Sequence, residues 1–232
     1  MMILNISAQP YEPSLKTKPK SIYLTAGSSF LARNILEQLD YGFTATTHDQ
    51  LDLTDHMAVT SFFKDKYFDY IIHTACVGGR RNGVDDMSVF DANIDMFMGL
   101  LANRTHFGRL INFGSGADQF NTWYGKAKRL IANIISGDDG MVNLRLFGVW
   151  GKYEKPDRFP AYCLSHSKVM IDEDKRMRYI HVDDLVKIVD RLIQQWDSRE
   201  MILGKPILLS KLAKQLNPNI KVIVKGKGED YV

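Results

Sequence analysis

Tyr124 and Lys128 stand four residues apart in Tyr124-Gly125-Lys126-Ala127-Lys128, a spacing that puts both on one face of a helix. A free phenol ionises near pH 10 and is a poor proton carrier near neutrality; a neighbouring ammonium favours the phenolate and lowers that value. The pair therefore offers general acid–base chemistry, and Ser115, nine residues upstream, could orient a carbonyl by a hydrogen bond. Taken alone, a Tyr–Lys pair at this spacing is more often a solvated helix face. Its context lifts it, because an earlier segment reads Thr25-Ala26-Gly27-Ser28-Ser29-Phe30-Leu31-Ala32. A dinucleotide-binding turn asks for glycines at three places, for the bend, for close approach to the diphosphate and for helix–strand packing. Ala26, Ser29 and Ala32 fall at those places and only Gly27 is kept, yet small residues still let amides at a helix start face a diphosphate.

Positioning these groups needs strands that end at the turn and at Ser115. Ser21-Ile22-Tyr23-Leu24-Thr25 is strand-like, and residues 30–39 carry the helical stripe Phe30, Leu31, Ile35, Leu36 and Leu39. Further strands are expected at 43–47, 70–75, 109–113 and 142–147. Helices are expected at 55–66 (capped by Thr54), 87–103 and 122–135. Alternation of this kind predicts a doubly wound parallel α/β sheet covered on both faces. Residues 1–19 hold three prolines and no periodicity, and read as an extension. The core then runs over 20–150. Residues 151–232 read as a small substrate cap partly interleaved with it: a loop at 148–160, helices at 159–165, 183–196 and 208–216, and strands at 168–171 and 221–224.

The 232 residues are 45% apolar and 25% charged with a net charge of +3, which excludes a disordered chain and a disulfide-framed mini-protein. The basic residues are scattered, so no nucleic-acid groove is expected, and no apolar run is long enough to span a membrane. Cys76 and Cys163 read as reduced thiols of a cytoplasmic protein; no spacing suggests a metal site. His73 and His181 read as structural, the three tryptophans as packing, and Gly78-Gly79-Arg80-Arg81 as a surface turn or a phosphate contact.

Several segments, in order, resemble the extended short-chain dehydrogenases/reductases, the nucleotide-sugar epimerases, dehydratases and reductases. They are the turn at 25–32, Leu51-Asp52-Leu53-Thr54-Asp55, Ile71-Ile72-His73-Thr74-Ala75-Cys76, Tyr124-x-x-x-Lys128, Leu144-Arg145-Leu146-Phe147-Gly148-Val149-Trp150-Gly151 and Tyr179-Ile180-His181-Val182-Asp183-Asp184-Leu185. The resemblance implies a Rossmann-type fold and a catalytic set of Ser115, Tyr124 and Lys128. It implies that Ala26, Gly27, Ser28, Ser29, Phe30 and Leu31 hold the diphosphate, Asp52 and Leu53 the adenine, and Thr74 and Ala75 the nicotinamide ribose, shared with Tyr124 and Lys128. Arg33 and His48, near a second strand that ends without a carboxylate at Thr46-Thr47, favour NADP(H) over NAD(H).

Val77-Gly78-Gly79 followed by Asn93 is most similar to the GDP-fucose synthetases. Those enzymes place a cysteine two residues after the serine, where Ala117 stands, and a second epimerisation residue near Arg158. Only the reductase half is then expected: an NADPH-dependent reductase of a nucleotide-linked 4-keto-6-deoxy sugar, without 3,5-epimerase activity. Arg158, Arg176 and Arg178 are the expected substrate contacts, and a homodimer is expected through the helices at 87–103 and 122–135. A nucleotide-sugar 4-epimerase and a non-catalytic NADP-binding sensor are the alternatives.

Overall fold

The computed structural model describes residues 20–79 and 83–232; the expected extension at 1–19 and the arginines Arg80 and Arg81 lie outside the described residues. The first half alternates strand and helix: β1 (Ser21–Leu24), α1 (Phe30–Gln38), β2 (Gly42–Ala45), α2 (His56–Phe63), β3 (Phe68–His73), α3 (Met87–Leu101), β4 (Phe107–Ser115), α4 (Trp123–Ile135) and β5 (Met141–Leu146). The second half adds β6 (Gly148–Trp150), α5 (Phe159–Ser165), β7 (Lys168–Asp174), β8 (Arg176–His181), α6 (Val182–Gln194), β9 (Met201–Ile202), β10 (Lys205–Leu208), α7 (Leu209–Leu216) and β11 (Lys221–Lys227).

Six strands form a wholly parallel sheet in the order β2-β1-β3-β4-β5-β9. The chain leaves β1 toward β2 and resumes at β3 on the other side, so the direction of winding reverses between β1 and β3. Open α/β sheets bind ligands outside the strand ends at such a reversal. The sheet is apolar on both faces. Ile22, Leu24, Tyr70 and Ile72 pack under α1 and α6, while Tyr23 and Ile71 pack under α2 and α3. Each such fully buried side chain contributes roughly 1.5–3 kcal/mol relative to an exposed one.

Helix starts are set by side-chain caps. Ser29 Oγ accepts from the Ala32 amide at 3.3 Å and begins α1, and Thr122 Oγ1 accepts from the Gly125 amide at 3.0 Å and begins α4. Such a cap is worth about 1 kcal/mol. The cap of α2 is Asp55, not Thr54: its carboxylate accepts from the Met57 and Ala58 amides, both at 3.0 Å. A carboxylate has acceptor sites for two amides, and Thr54 spends its hydroxyl donating to Asp52 at 2.8 Å.

Residues 151–232 serve two layers. α6 buries Val182, Leu185, Val186, Val189, Leu192 and Ile193 in the main core, and β9 extends the main sheet. The rest forms a three-stranded sheet β10-β8-β6 and a parallel pair β11-β7, with α5 and α7 around Cys163, Val169, Ile171, Leu209 and Ile220. The loop expected at 148–160 therefore opens with a strand, paired with β8. Its three residues are too few for a period to show.

Candidate active site

At the reversal point the ends of β1 and β3 are locked by one buried hydroxyl. Thr25 Oγ1 accepts from the Thr74 and Ala75 amides at 2.9 and 3.0 Å and lies 3.2 Å from His73 Nδ1. With both lone pairs filled, the Thr25 proton must go to Nδ1, which leaves the imidazole proton on Nε2. Burial, and then the positive charge of Lys128, push His73 down to about 3, so this ring is neutral and structural. Thr74 closes the lock, donating to the Thr25 carbonyl and meeting Ser29 Oγ at 3.2 Å. Thr25 carries this lock and was not among the sequence candidates; its signal is a β-branched hydroxyl ending an apolar strand.

Beside the lock the chain turns through Ala26, a non-glycine residue with φ 48°, into Gly27 and α1. A Cβ on Gly27 would sit 3.1 Å from the Ala45 Cβ, so the turn lies close on β2. The Phe30 and Leu31 amides, at the first two helical positions, have no carbonyl partner inside the helix and mark an anion-binding end. This donor set fits a dinucleotide diphosphate. Arg33 is exposed on α1, its guanidinium 3.6 Å from the centre of the Tyr153 ring. His48 is exposed and within 3.9 Å of Asp52. Asp52 spends one carboxylate oxygen on the Thr54 amide and hydroxyl, which hold it below the usual carboxylate range, and Leu53 is buried in the core.

The catalytic candidates come together two strands away. Ser115 ends β4, with its Oγ accepting from the Ala117 amide at 3.1 Å. Tyr124 lies in the first turn of α4, and Lys128 one turn further on is buried. The expected effect of Lys128 on Tyr124 does not hold. The Lys128 ammonium donates to the Phe113 carbonyl at 3.1 Å and lies 5.7 Å from the centre of the Tyr124 ring. Burial, and then the Cys76 thiol, push the Tyr124 phenol well above 10, against a hydrogen bond from Ser115 that acts the other way. Tyr124 is therefore protonated at neutral pH, a donor rather than a base.

Two neighbours of Tyr124 lay outside the sequence candidates. Cys76 Sγ sits 3.7 Å from the phenol oxygen. The Tyr231 side chain also reaches Ser115, and its ring centre lies 4.9 Å from that of Phe147 and 5.2 Å from that of Phe120. Gly79 covers the Tyr124 ring. The three expected substrate arginines are engaged elsewhere: Arg158 pairs with Glu154 at 3.2 Å, Arg176 with Asp230 at 3.5 Å, and Arg178 donates to the Gly204 carbonyl at 2.9 Å. Arg176 and Arg178 flank Met177, which pairs with Tyr231, so their strand borders the site. His181 caps α6, accepting from the Asp183 amide at 3.3 Å, and Trp150 packs edge-on against it. Among the described residues no cluster of metal-ligating side chains occurs and no helix is long and apolar enough to cross a membrane.

The family model of the NAD dependent epimerase/dehydratase family matches residues 22–204. The chain belongs to that family. Among curated proteins none matches significantly. Solved structures share its fold at low identity. A GDP-mannoheptose C4 reductase from Campylobacter jejuni with NADP bound aligns at a TM-score of 0.79 and 16% identity, over 91% of this chain and 89% of that one. A dTDP-4-dehydrorhamnose reductase from Bacillus anthracis in complex with NADP aligns at 0.75 and 14%, over 90% and 84%. A GDP-L-fucose synthetase from Naegleria fowleri bound to NADP aligns at 0.72 and 12%, over 94% and 87%. The family match ends before Tyr231, which is why the resemblance did not point to it.

Proposed function

We propose that the chain is an NADPH-dependent reductase of a nucleotide-linked 4-keto-6-deoxy sugar. The observation that carries this reading is a half-buried, protonated Tyr124 beside Ser115, facing the strand ends at which the sheet reverses. Reduction of a ketone needs a proton donor at the developing alkoxide, and a phenol held above 10 is in the donating form at neutral pH. Two of the NADP-bound relatives bear the names of sugar reductases, which supports both the reaction and the cofactor.

In this reading the amides of Phe30 and Leu31 hold the cofactor diphosphate, Thr74 and Ala75 border the nicotinamide ribose, and Arg33 meets a 2′-phosphate. NADPH bound there supplies the hydride. Ser115 orients the sugar carbonyl by hydrogen bonding, and Tyr124 Oη passes its proton to the carbonyl oxygen. Lys128, anchored on the Phe113 carbonyl, lies buried under the site. Ala117 has no ionisable group and the Arg158 guanidinium carries only donors, so neither supplies the base that 3,5-epimerisation requires. The protein works in the cytoplasm with Cys76 and Cys163 reduced, and two copies pair through α3 and α4, whose Met98 and Leu130 are exposed.

The test is absorbance at the nicotinamide band with NADPH and a panel of GDP- and dTDP-linked 4-keto-6-deoxyhexoses. Steady oxidation with at least one of them, abolished in Tyr124→Phe, is the expected result. No oxidation with any would overturn the reading.

A further inference from the structure

The chain that leaves β3 forms a wall over the Tyr124 ring, Cys76-Val77-Gly78-Gly79, and the wall is tied to α3. Val77 is held on both sides by the buried Asn93 of α3. The Val77 amide donates to Asn93 Oδ1 at 3.2 Å, and Asn93 Nδ2 donates to the Val77 carbonyl at 2.8 Å. Gly78 and Gly79 follow with φ 81° and 68°, both left-handed. The Gly79 amide donates to the half-buried Asp85 carboxylate, at 3.1 Å to Oδ1 and 3.4 Å to Oδ2. Asp85 is itself placed by α3, because its neighbour Asp86 caps that helix by accepting from the Ser88 amide at 3.0 Å. A Cβ on Gly78 would lie 2.7 Å from Asp85 Oδ1, and one on Gly79 2.8 Å from Tyr124 Cζ. Carboxylate, glycine pair and phenol ring are therefore packed in direct succession.

We infer that Asp85 is a positioning residue of the reductase site, one that latches the Gly78–Gly79 pair against the Tyr124 ring. The inference rests on the proposed reduction and assigns a residue that the catalytic set does not contain. Glycine populates left-handed and right-handed backbone about equally, and two in succession are the part of a chain that costs most to hold in one shape. The Asn93 bonds stop at Val77, before the pair. The bond at the far end runs to a carboxylate, and such a charge-assisted bond is about twice as strong as one between neutral groups. With the latch closed, the Gly79 backbone lies on the phenol ring and limits how far it tips. Without the latch the pair is free to lift, and the Tyr124 hydroxyl loses the placement that proton transfer to the sugar carbonyl needs.

The experiment measures NADPH oxidation with GDP-4-keto-6-deoxymannose in wild type, Asp85→Ala, Asp85→Asn, Gly79→Ala and the Gly79→Ala/Asp85→Ala double variant. Asp85→Ala should lower kcat about tenfold, as expected for one lost hydrogen bond, with KM within about threefold. Asparagine keeps an oxygen that accepts from the Gly79 amide, so Asp85→Asn should hold kcat within about threefold of wild type. In the Gly79→Ala background, loss of the carboxylate should cost less than about twofold, because the released loop carries its methyl off the ring. An unchanged kcat in Asp85→Ala, an Asp85→Asn enzyme as slow as Asp85→Ala, or losses that multiply in the double variant would each overturn the inference. A wild type that oxidises no NADPH with this sugar or the rest of the panel fails the proposed function instead. The latch is then tested without substrate, by the flip rate of the Tyr124 ring in NMR of protein labelled at tyrosine Cε. The Tyr124 resonances, assigned by their loss in Tyr124→Phe, should report a flip at least about tenfold faster in Asp85→Ala than in wild type and Asp85→Asn. Equal flip rates in these proteins would overturn the inference.

Discussion

Gly79→Ala isolates how strictly the site depends on the placement of one hydroxyl. Gly79 has φ 68°, and a Cβ there would lie 2.8 Å from both Cε1 and Cζ of Tyr124 and 3.1 Å from Cε2. Carbon atoms rest about 3.5 Å apart or more, so about 0.7 Å has to be found. Helix α4 cannot provide it by sliding, because Gly125 is pressed against the Ala117 and Phe120 carbonyls on its other side. The Tyr124 ring must tip, and its hydroxyl moves by a similar amount. Misplacement by about 1 Å costs roughly a hundredfold in rate, so kcat should fall between about 10-fold and 100-fold. The left-handed backbone adds about 1–2 kcal/mol of strain for alanine, which lowers Tm by roughly 2–8 °C in a chain of this size. Cofactor affinity should hold within about twofold, since the phosphate cradle lies across the sheet at Ala26–Leu31. The assay is steady-state NADPH oxidation beside a thermal melt and an NADPH titration. Gly226→Ala is the control: its Cβ meets nothing nearer than the Asp172 carbonyl oxygen at 3.4 Å. A Gly79→Ala enzyme with wild-type kcat would refute the reasoning, and so would one whose only defect is cofactor binding.

Three further outcomes follow from the same geometry. Tyr124→Phe should reduce kcat at least about a hundredfold while the NADPH Kd stays within twofold, read by turnover and fluorescence titration. NADPH should bind more tightly than NADH by about tenfold or more, and Arg33→Ala should remove the difference; equal affinities in the wild type would exclude Arg33 as the 2′-phosphate contact. Burial raises Glu154 to about 7, above its ordinary value. A carboxyl raised in the folded state contributes stability that is present below about pH 4.5 and is lost as the pH rises through 7. Melts at pH 5 and pH 8 should therefore show a fall in Tm that Glu154→Gln reduces, and an unchanged slope would remove Glu154 from the account.

The main sheet was legible because its strands bury both faces. Tyr70-Ile71-Ile72 has no polar break, and the stripes of α1, α4 and α6 mark their inner sides. The placement of the proposed trio was legible for a related reason, since Ser115 ends a strand and Tyr124 and Lys128 share one face of a helix. What spacing alone could not give was environment. An ammonium one turn from a phenol predicts a lowered pKa, but the Lys128 ammonium is turned to a backbone carbonyl and the phenol is half-buried beside a thiol. The strands β6, β9 and β10 have three, two and four residues, too short for any period, and form only because β5 and β8 offer them edges. Tyr231 belongs to the same class. Nothing local to Glu229-Asp230-Tyr231 announces a site; the pairing with β8, more than fifty residues away, brings it there.

The central claim, that a hydride and the Tyr124 proton add to a sugar ketone, is tested most directly by isotope transfer. NADPH carrying deuterium at the transferable C4 position is incubated with the protein and a nucleotide-linked 4-keto-6-deoxy sugar, and the product is read by mass spectrometry and NMR. The account predicts one deuteron bound to C4 of the sugar, one equivalent of NADP formed per sugar reduced, and no transfer in Tyr124→Phe. Sugar that is converted without gaining deuterium, or deuterium transfer that survives Tyr124→Phe at the wild-type rate, would contradict it.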